Sequence, residues 1–418
     1  MAAINDSGRG VPATIEWGRF AAEHWQRSPA LLPLSAAPLS ADEAFALIDA
    51  IVRPFRTGLR FFALPALKFR VGDTEIRAPG DLLPDREAPD RVDATIAGYL
   101  QRLGARGGDD PAWLEIDQPL MADVAAWSAV RDFLQDLWRH TGVPVQSILA
   151  QLALGRYQHE ADCSAAVFLL PLYGDVDVAI EEVGKPAAPC AWTASAGDLV
   201  YVPGGWRLRE CCASGALVLR LTLPQAEEAL VREVRELAIA MMQPVLHPDG
   251  ATPMVPVDGT VGPQDPLDAL VRALPECVRG RDFETALQVT WAARRSACAL
   301  EPVPSRAVHA PLQADDRIHL ALGTRIVSLP MTGGVAVWAV NGHVFAMREG
   351  AAGESLRRRL NDTNEPVRVG DVCRSADGAS DTGLVELLDR VHAAHGLVRM
   401  SPDIRADARA PAPVDAAG

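Results

Sequence analysis

The stretch Gly197-Asp198-Leu199-Val200-Tyr201-Val202-Pro203-Gly204-Gly205-Trp206-Arg207-Leu208 constrains this chain more than any other. An apolar run enters Pro-Gly-Gly, which punctuates a strand, and a second run leaves it. It belongs to a series of short strands with turn signals from about Val145 to Thr222. Such a series is the pattern of an antiparallel sandwich or barrel.

Helical periodicity surrounds that series. Residues 15–27 place apolar side chains at helical spacing. Ser40 and Glu43 have capping-box spacing and open a helix through Val52. Alternation from Leu59 to Ile76 predicts short strands, and Gly98–Leu103 and Ala122–His140 predict helices. At Pro224 the pattern changes. Gln225–Met242 is one amphipathic helix whose stripe (Ala226, Leu230, Val234, Leu237, Met241) is widened by Val231 and Ala238. A Pro-, Gly- and Asp-rich linker spans 246–266, and two helices follow over Leu267–Ala299. Strands return over Ile318–Met347 with a Val340-Asn341-Gly342 hairpin turn. Ser355–Leu360 and Thr382–Ala394 read as helices, and the tail from Arg405 as disordered.

Composition excludes several classes. The 418 residues suffice for two or three domains, and 49% hydrophobic with 22% charged residues is an ordinary globular balance. A net charge of -14 repels phosphate backbones, so general nucleic-acid binding is not expected. No apolar run reaches membrane-spanning length. The start, Met1-Ala2-Ala3-Ile4-Asn5-Asp6, shows no signal peptide. The seven scattered cysteines form no CxxC pair and fit free thiols in a reducing cytosol, so a cytoplasmic location is expected.

The Gly197–Leu208 stretch resembles the glycine-aspartate, tyrosine-x-proline, glycine-aromatic corner of JmjC-type cupin barrels. Trp25-Gln26-Arg27-Ser28-Pro29-Ala30-Leu31-Leu32-Pro33, Trp291–Arg295 and Leu320–Val327 extend the likeness to bacterial ribosomal oxygenases, over roughly residues 15–402. The resemblance implies an α+β chain. A double-stranded β-helix barrel with N-terminal helices occupies 1–224, a helical dimerisation segment 225–305 and a winged-helix-like domain 306–404, with the tail 405–418 beyond.

The same resemblance implies iron held by two histidines and a carboxylate, with 2-oxoglutarate beside it. Aligned on Gly174 without a gap, the family's H-x-D places fall on Ala161 and Cys163. The basic residue that anchors the cosubstrate falls on Val176, and the second histidine on Leu208. His159 and Asp162 lie close by, but H-x-x-D spacing sets them on opposite faces of a regular strand unless a bulge intervenes. Cys163, Cys211 and Cys212 are either a soft-metal site or core thiols. Arg220 either binds a carboxylate in place of the missing basic residue or lies on the outer barrel face. Arg207 and Arg209 either line the pocket mouth or are solvated. Arg357-Arg358-Arg359 reads as a solvated helix face, since residues 306–403 carry 11 Arg against 12 Asp plus Glu.

Two readings follow. In the first, the chain has lost iron-dependent catalysis, holds no cofactor, and acts as a homodimer by binding a peptide or protein, or a catalytically competent partner enzyme that it helps assemble. In the alternative, it is a divergent Fe(II)/2-oxoglutarate hydroxylase of a peptide or protein side chain.

Overall fold

The computed structural model describes residues 15–58, 65–88, 90, 92–107, 110–185, 189–224, 227–246, 266–305, 309–331, 333–348, 350–363, 365–374 and 381–400. The strand expected at 59–64, most of the 246–266 linker and the tail from Arg405 lie outside them. The chain divides into two compact units, 1–304 and 305–418.

The first unit runs α1 (Trp17–Glu23), β1 (Ala30–Pro33), α2 (Ala41–Arg56), β2 (Ala66–Val71), β3 (Thr74–Glu75), α3 (Ile96–Gly107), β4 (Ala112–Asp117) and α4 (Val124–Thr141). Then come β5 (Leu149–Cys163), β6 (Ala166–Tyr173), β7 (Val176–Glu182), β8 (Cys190–Ala194), β9 (Asp198–Val202) and β10 (Trp206–Leu223). It closes with α5 (Glu227–Leu246), α6 (Pro266–Arg279) and α7 (Arg281–Ser296).

All these strands join one antiparallel sheet of order β1-β9-β6-β10-β5-β4-β2-β3, from which β7 and β8 branch at β10. The 18-residue β10 organises it. Trp206–Cys212 and Ala216–Thr222 pair with β5, while Trp206–Cys211 also pairs with β7 and Leu217–Leu223 with β6. Gly155 lets the strands approach. Its φ is +141°, and a Cβ there would lie 2.3 Å from the Ala112 carbonyl oxygen.

Alternation explains the near-continuous apolar runs. Phe168, Leu170, Leu217, Leu219 and Leu221 point into a core shared with Phe45, Ile48, Trp127 and Leu134 of the helices. Their neighbours Val167, Leu169, Ala216 and Val218 point into a second core inside the sheet. A strand covered on both faces has no polar side to display. α2 begins with the expected capping box: Ser40 N donates to Glu43 Oε2 at 2.8 Å, and Ser40 Oγ accepts from Glu43 N at 3.2 Å. The helix outruns Val52 by a turn, because buried Asp49 holds Arg56 at 2.9 Å and Arg53 at 3.3 Å. α7 is tied to α5 by Arg294–Glu233 at 3.3 Å.

The second unit contains β11 (Arg317–Leu320), β12 (Val327–Pro330), β13 (Val335–Val340), β14 (His343–Arg348), α8 (Ala351–Asp362), β15 (Val367–Arg368), α9 (Val369–Val372), α10 (Thr382–Ala393) and β16 (Leu397–Met400). Two three-stranded sheets, β15-β11-β16 and β12-β13-β14, enclose a core around Trp338 and Leu388. The β13–β14 turn has positive φ at Asn341 (49°) and Gly342 (87°), as a tight hairpin requires. Arg357 and Arg358 both reach Glu354, at 2.6 and 3.3 Å.

Candidate functional site

The two stretches that define the N-terminal unit meet at Tyr201. Its hydroxyl accepts from Gln26 N at 2.9 Å, and Trp25 stacks on its ring at 5.8 Å. β1 pairs with β9 so that Ala30 faces Tyr201. On the far side of the Pro-Gly-Gly turn, Gly205 N donates to the Cys163 carbonyl at 2.7 Å and fixes the start of β10 against the end of β5.

That clamp sets the register. Leu208 stands directly opposite Ala161 on β5 and Ile180 on β7, and Trp206 stands opposite Cys163. Cross-strand partners share a face. Leu208 and Val176 are buried in the inner cluster with Val178, Ile180, Val200 and Val202, and Cys163 packs against it. Ala161 is half-buried beside Leu208. Burial and then the Glu210 charge push the Cys163 thiol up to about 11.

His159 and Asp162 do not converge. Asp162 pairs with Arg207 at 2.6 Å, and that hydrogen bond holds its carboxyl below the usual range. His159 is exposed and stands opposite Glu210. Nor do the three cysteines meet. Cys211 contacts Gln158 at 3.7 Å on one face, and Cys212 lies on the other, opposite Tyr157. Tyr157 is six residues from Cys163 along β5, about 20 Å on a straight strand. Among the described residues, the one group of three metal-ligating side chains within reach of one another contains none from the barrel.

Arg220 faces inward, which corrects the outer-face reading. It is 8% exposed; its Nη2 donates to Glu210 Oε2 at 2.7 Å and its Nη1 to Gln151 Oε1 at 3.4 Å. The Tyr157 hydroxyl donates to the same Glu210 oxygen at 3.2 Å. Burial opposes charge on Arg220, but the Glu210 carboxylate outweighs it and the guanidinium pKa rises. Burial and then Glu210 push the Tyr157 phenol well up. Glu210 is the residue that sequence reasoning missed. Its signal was its place between Leu208 and Cys212 in the inward-facing alternation of β10.

On the sheet β5-β10-β7-β8 lies an open cleft of about 660 Å³ lined by Gln158, Glu160, Arg209, Cys211, Asp177 and Thr193, among others. Glu160 pairs with Arg209 at 2.9 Å, and Asp177 accepts from Thr193 at 2.6 Å. Arg209 thus lines the cleft, and Arg207 sits in an ion network with Asp162 and with Glu181 at 3.2 Å.

No family model and no curated protein matches the sequence. Solved structures do. The crystal structure of the Escherichia coli ribosomal oxygenase YcfD superposes with a TM-score of 0.52 at 14% identity, covering 93% of this chain and 99% of that one. YcfD in complex with cobalt and 2-oxoglutarate gives 0.51 at 14%, with the same coverage. The chain has the ribosomal-oxygenase fold. At this identity the likeness speaks for architecture alone. Within the ribosomal-oxygenase fold, the positions to which the resemblance assigns iron and 2-oxoglutarate do not fit them. Ala161 and Leu208 carry no lone pair and Val176 carries no charge, which leaves Cys163 as a lone donor among the three metal places. Arg220 already has a carboxylate, supplied by the chain itself.

Proposed function

We propose that this chain is a JmjC-fold binding protein without iron-dependent catalysis, which engages a peptide or protein through the cleft on β5-β10-β7-β8. The observation that carries the reading is Leu208, buried in an apolar cluster and standing directly across the strands from half-buried Ala161. Two of the three metal-ligand places and the cosubstrate anchor lack any donor, and a metal site short of two of its three ligands loses its affinity. Edge geometry supports the peptide part. β4 pairs β5 only as far as Gly155, so the later part of β5 pairs with β10 alone among the described residues, and β8 pairs with β7 alone. Open edges beside a polar cleft suit an added strand.

The homodimer belongs to this proposal. Apolar side chains stand exposed on all three helices of the 225–305 segment: Val231 (66%) and Ile239 (52%) on α5, Leu274 and Val278 on α6, Trp291 on α7. So does the winged-helix-like reading of the second unit, which rests on its small sheets and short helices. Cytoplasmic residence is supported by seven cysteines that are all free thiols. No helix among the described residues is long and apolar enough to cross a membrane.

The alternative, a divergent hydroxylase binding Fe(II) and 2-oxoglutarate, is favoured by one observation, the inward position of Arg220. It requires Glu210 to give way to the cosubstrate. Incubating the purified full chain with Fe(II), ascorbate, oxygen and 2-oxoglutarate tests the choice. The proposal expects succinate at the background of a protein-free control; accumulation above it replaces the proposal with the alternative.

A further inference from the structure

The second unit brings together three side chains of metal-ligating type, apart from the barrel. Asp389 and His392 are three apart on α10, so one helix face presents both. His309, in the segment before β11, approaches from a separate part of the chain. His309 Nε2 lies 3.1 Å from Asp389 Oδ2, and the His309 and His392 rings meet edge to face at 5.6 Å. One donor atom from each of the three lies within 4.8 Å of the others.

We infer that His309, Asp389 and His392 form a zinc-class divalent metal site. Ligands about 2.0 Å from a tetrahedral ion stand about 3.3 Å apart, and the His309–Asp389 pair already has that spacing. The other Asp389 oxygen, Oδ1, accepts from the backbone N–H of buried Leu312 at 3.0 Å. That bond aims Oδ2 at the shared point, as an outer-shell partner does for a ligating carboxylate. His392 is 4% exposed and fixed in the core, while the side chains of His309 and Asp389 are 21% and 27% exposed and leave an entry path. Two imidazoles and one carboxylate suit Zn²⁺ and leave a fourth position for water or a partner's side chain. A plain His309–Asp389 hydrogen bond accounts for two of the three donors; the third, His392, is carried to them by α10 and packs its ring against His309. The proposal is independent of the barrel and stands or falls apart from the loss of iron chemistry.

The test is calorimetric titration of the metal-stripped full chain with Zn²⁺, and with Co²⁺ as a spectroscopic probe, in a thiol-free reductant. The expected result is one Zn²⁺ per chain and a Co²⁺ visible spectrum of nitrogen and oxygen ligation. His309→Ala and Asp389→Asn, both partly exposed and chosen to spare the core, should each weaken Zn²⁺ by on the order of 100-fold or more, since even outer-shell losses cost about 10–100-fold. Far-UV circular dichroism confirms that each variant is folded. Two results overturn the site: no saturable binding by the wild type at micromolar metal, or binding by both variants as tight as the wild type's. A thiolate-to-cobalt charge-transfer band would likewise assign the metal to cysteines and reject it.

Discussion

Glu210 and Arg220 are the pair on which the barrel interior turns. Each is buried, and each would be an uncompensated charge without the other. Removing one partner of such a pair costs about 3–5 kcal/mol, whereas replacing both with apolar residues of similar volume is often neutral or better. Glu210→Ala should therefore lose about 3–5 kcal/mol in urea unfolding, and Glu210→Leu with Arg220→Met should recover most of it. If the single variant unfolds at the wild-type midpoint, the pair is not buried as described. The inner thiols give a second prediction. Burial raises Cys163 to about 11 and Cys212 to about 12, above the unfolded value of about 8.5. A group whose folded pKa is raised contributes stability that is complete below the unfolded pKa and is lost as pH rises through the folded one. Stability should thus fall between about pH 8.5 and 11. In the native state iodoacetamide should modify exposed Cys190 long before Cys163 or Cys212. Equal rates at all three would contradict the packing.

At the scale of elements, β10 shows why the barrel was legible while its polar pair was not. The turn at Pro203–Gly205 and the alternation on either side appear directly in the residues, so strand existence and inward parity could be counted from Leu208. The register shift between Cys212 and Ala216 takes four steps on β10 against two on β5, which preserves that parity and turns Arg220 inward. Whether parity survives depends on the partner strand, which β10's own sequence does not contain. Nor does it show that residues ten apart can touch: on a straight strand they stand about 33 Å apart, so the 2.7 Å contact requires β10 to bend sharply at the irregularity. The open reading of Arg220 was therefore unavoidable. The helices were legible for a simpler reason, since Ser40 and Glu43 cap α2 locally and need no distant partner. Gly155 tests the sheet. Gly155→Ala places a Cβ against the Ala112 carbonyl and should cost about 3 kcal/mol or more from strain plus overpacking. Gly184→Ala, also at positive φ (+82°) but with nothing within 4 Å, should cost only about 1 kcal/mol in the same denaturation assay.

For the whole molecule, the proposed homodimer rests on the helices of the 225–305 segment. The apolar side chains exposed on these three helices are what a second copy would cover. Light scattering at micromolar concentration should give twice the chain mass of 44.7 kDa, and Val231→Glu with Ile239→Glu should return the single mass. A wild-type monomer would remove the dimer from the account. The ribosomal-oxygenase fold itself leaves the chemistry open, because activity resides in the few side chains at the barrel mouth. The central claim is that these side chains no longer hold the cosubstrate. Its most direct measurement is calorimetric titration of 2-oxoglutarate into the full chain with Mn²⁺ present, using His309→Ala in parallel so that metal in the second unit cannot be mistaken for barrel binding. No saturable heat from 2-oxoglutarate is expected in either protein. Saturable binding that Arg220→Met abolishes would contradict it.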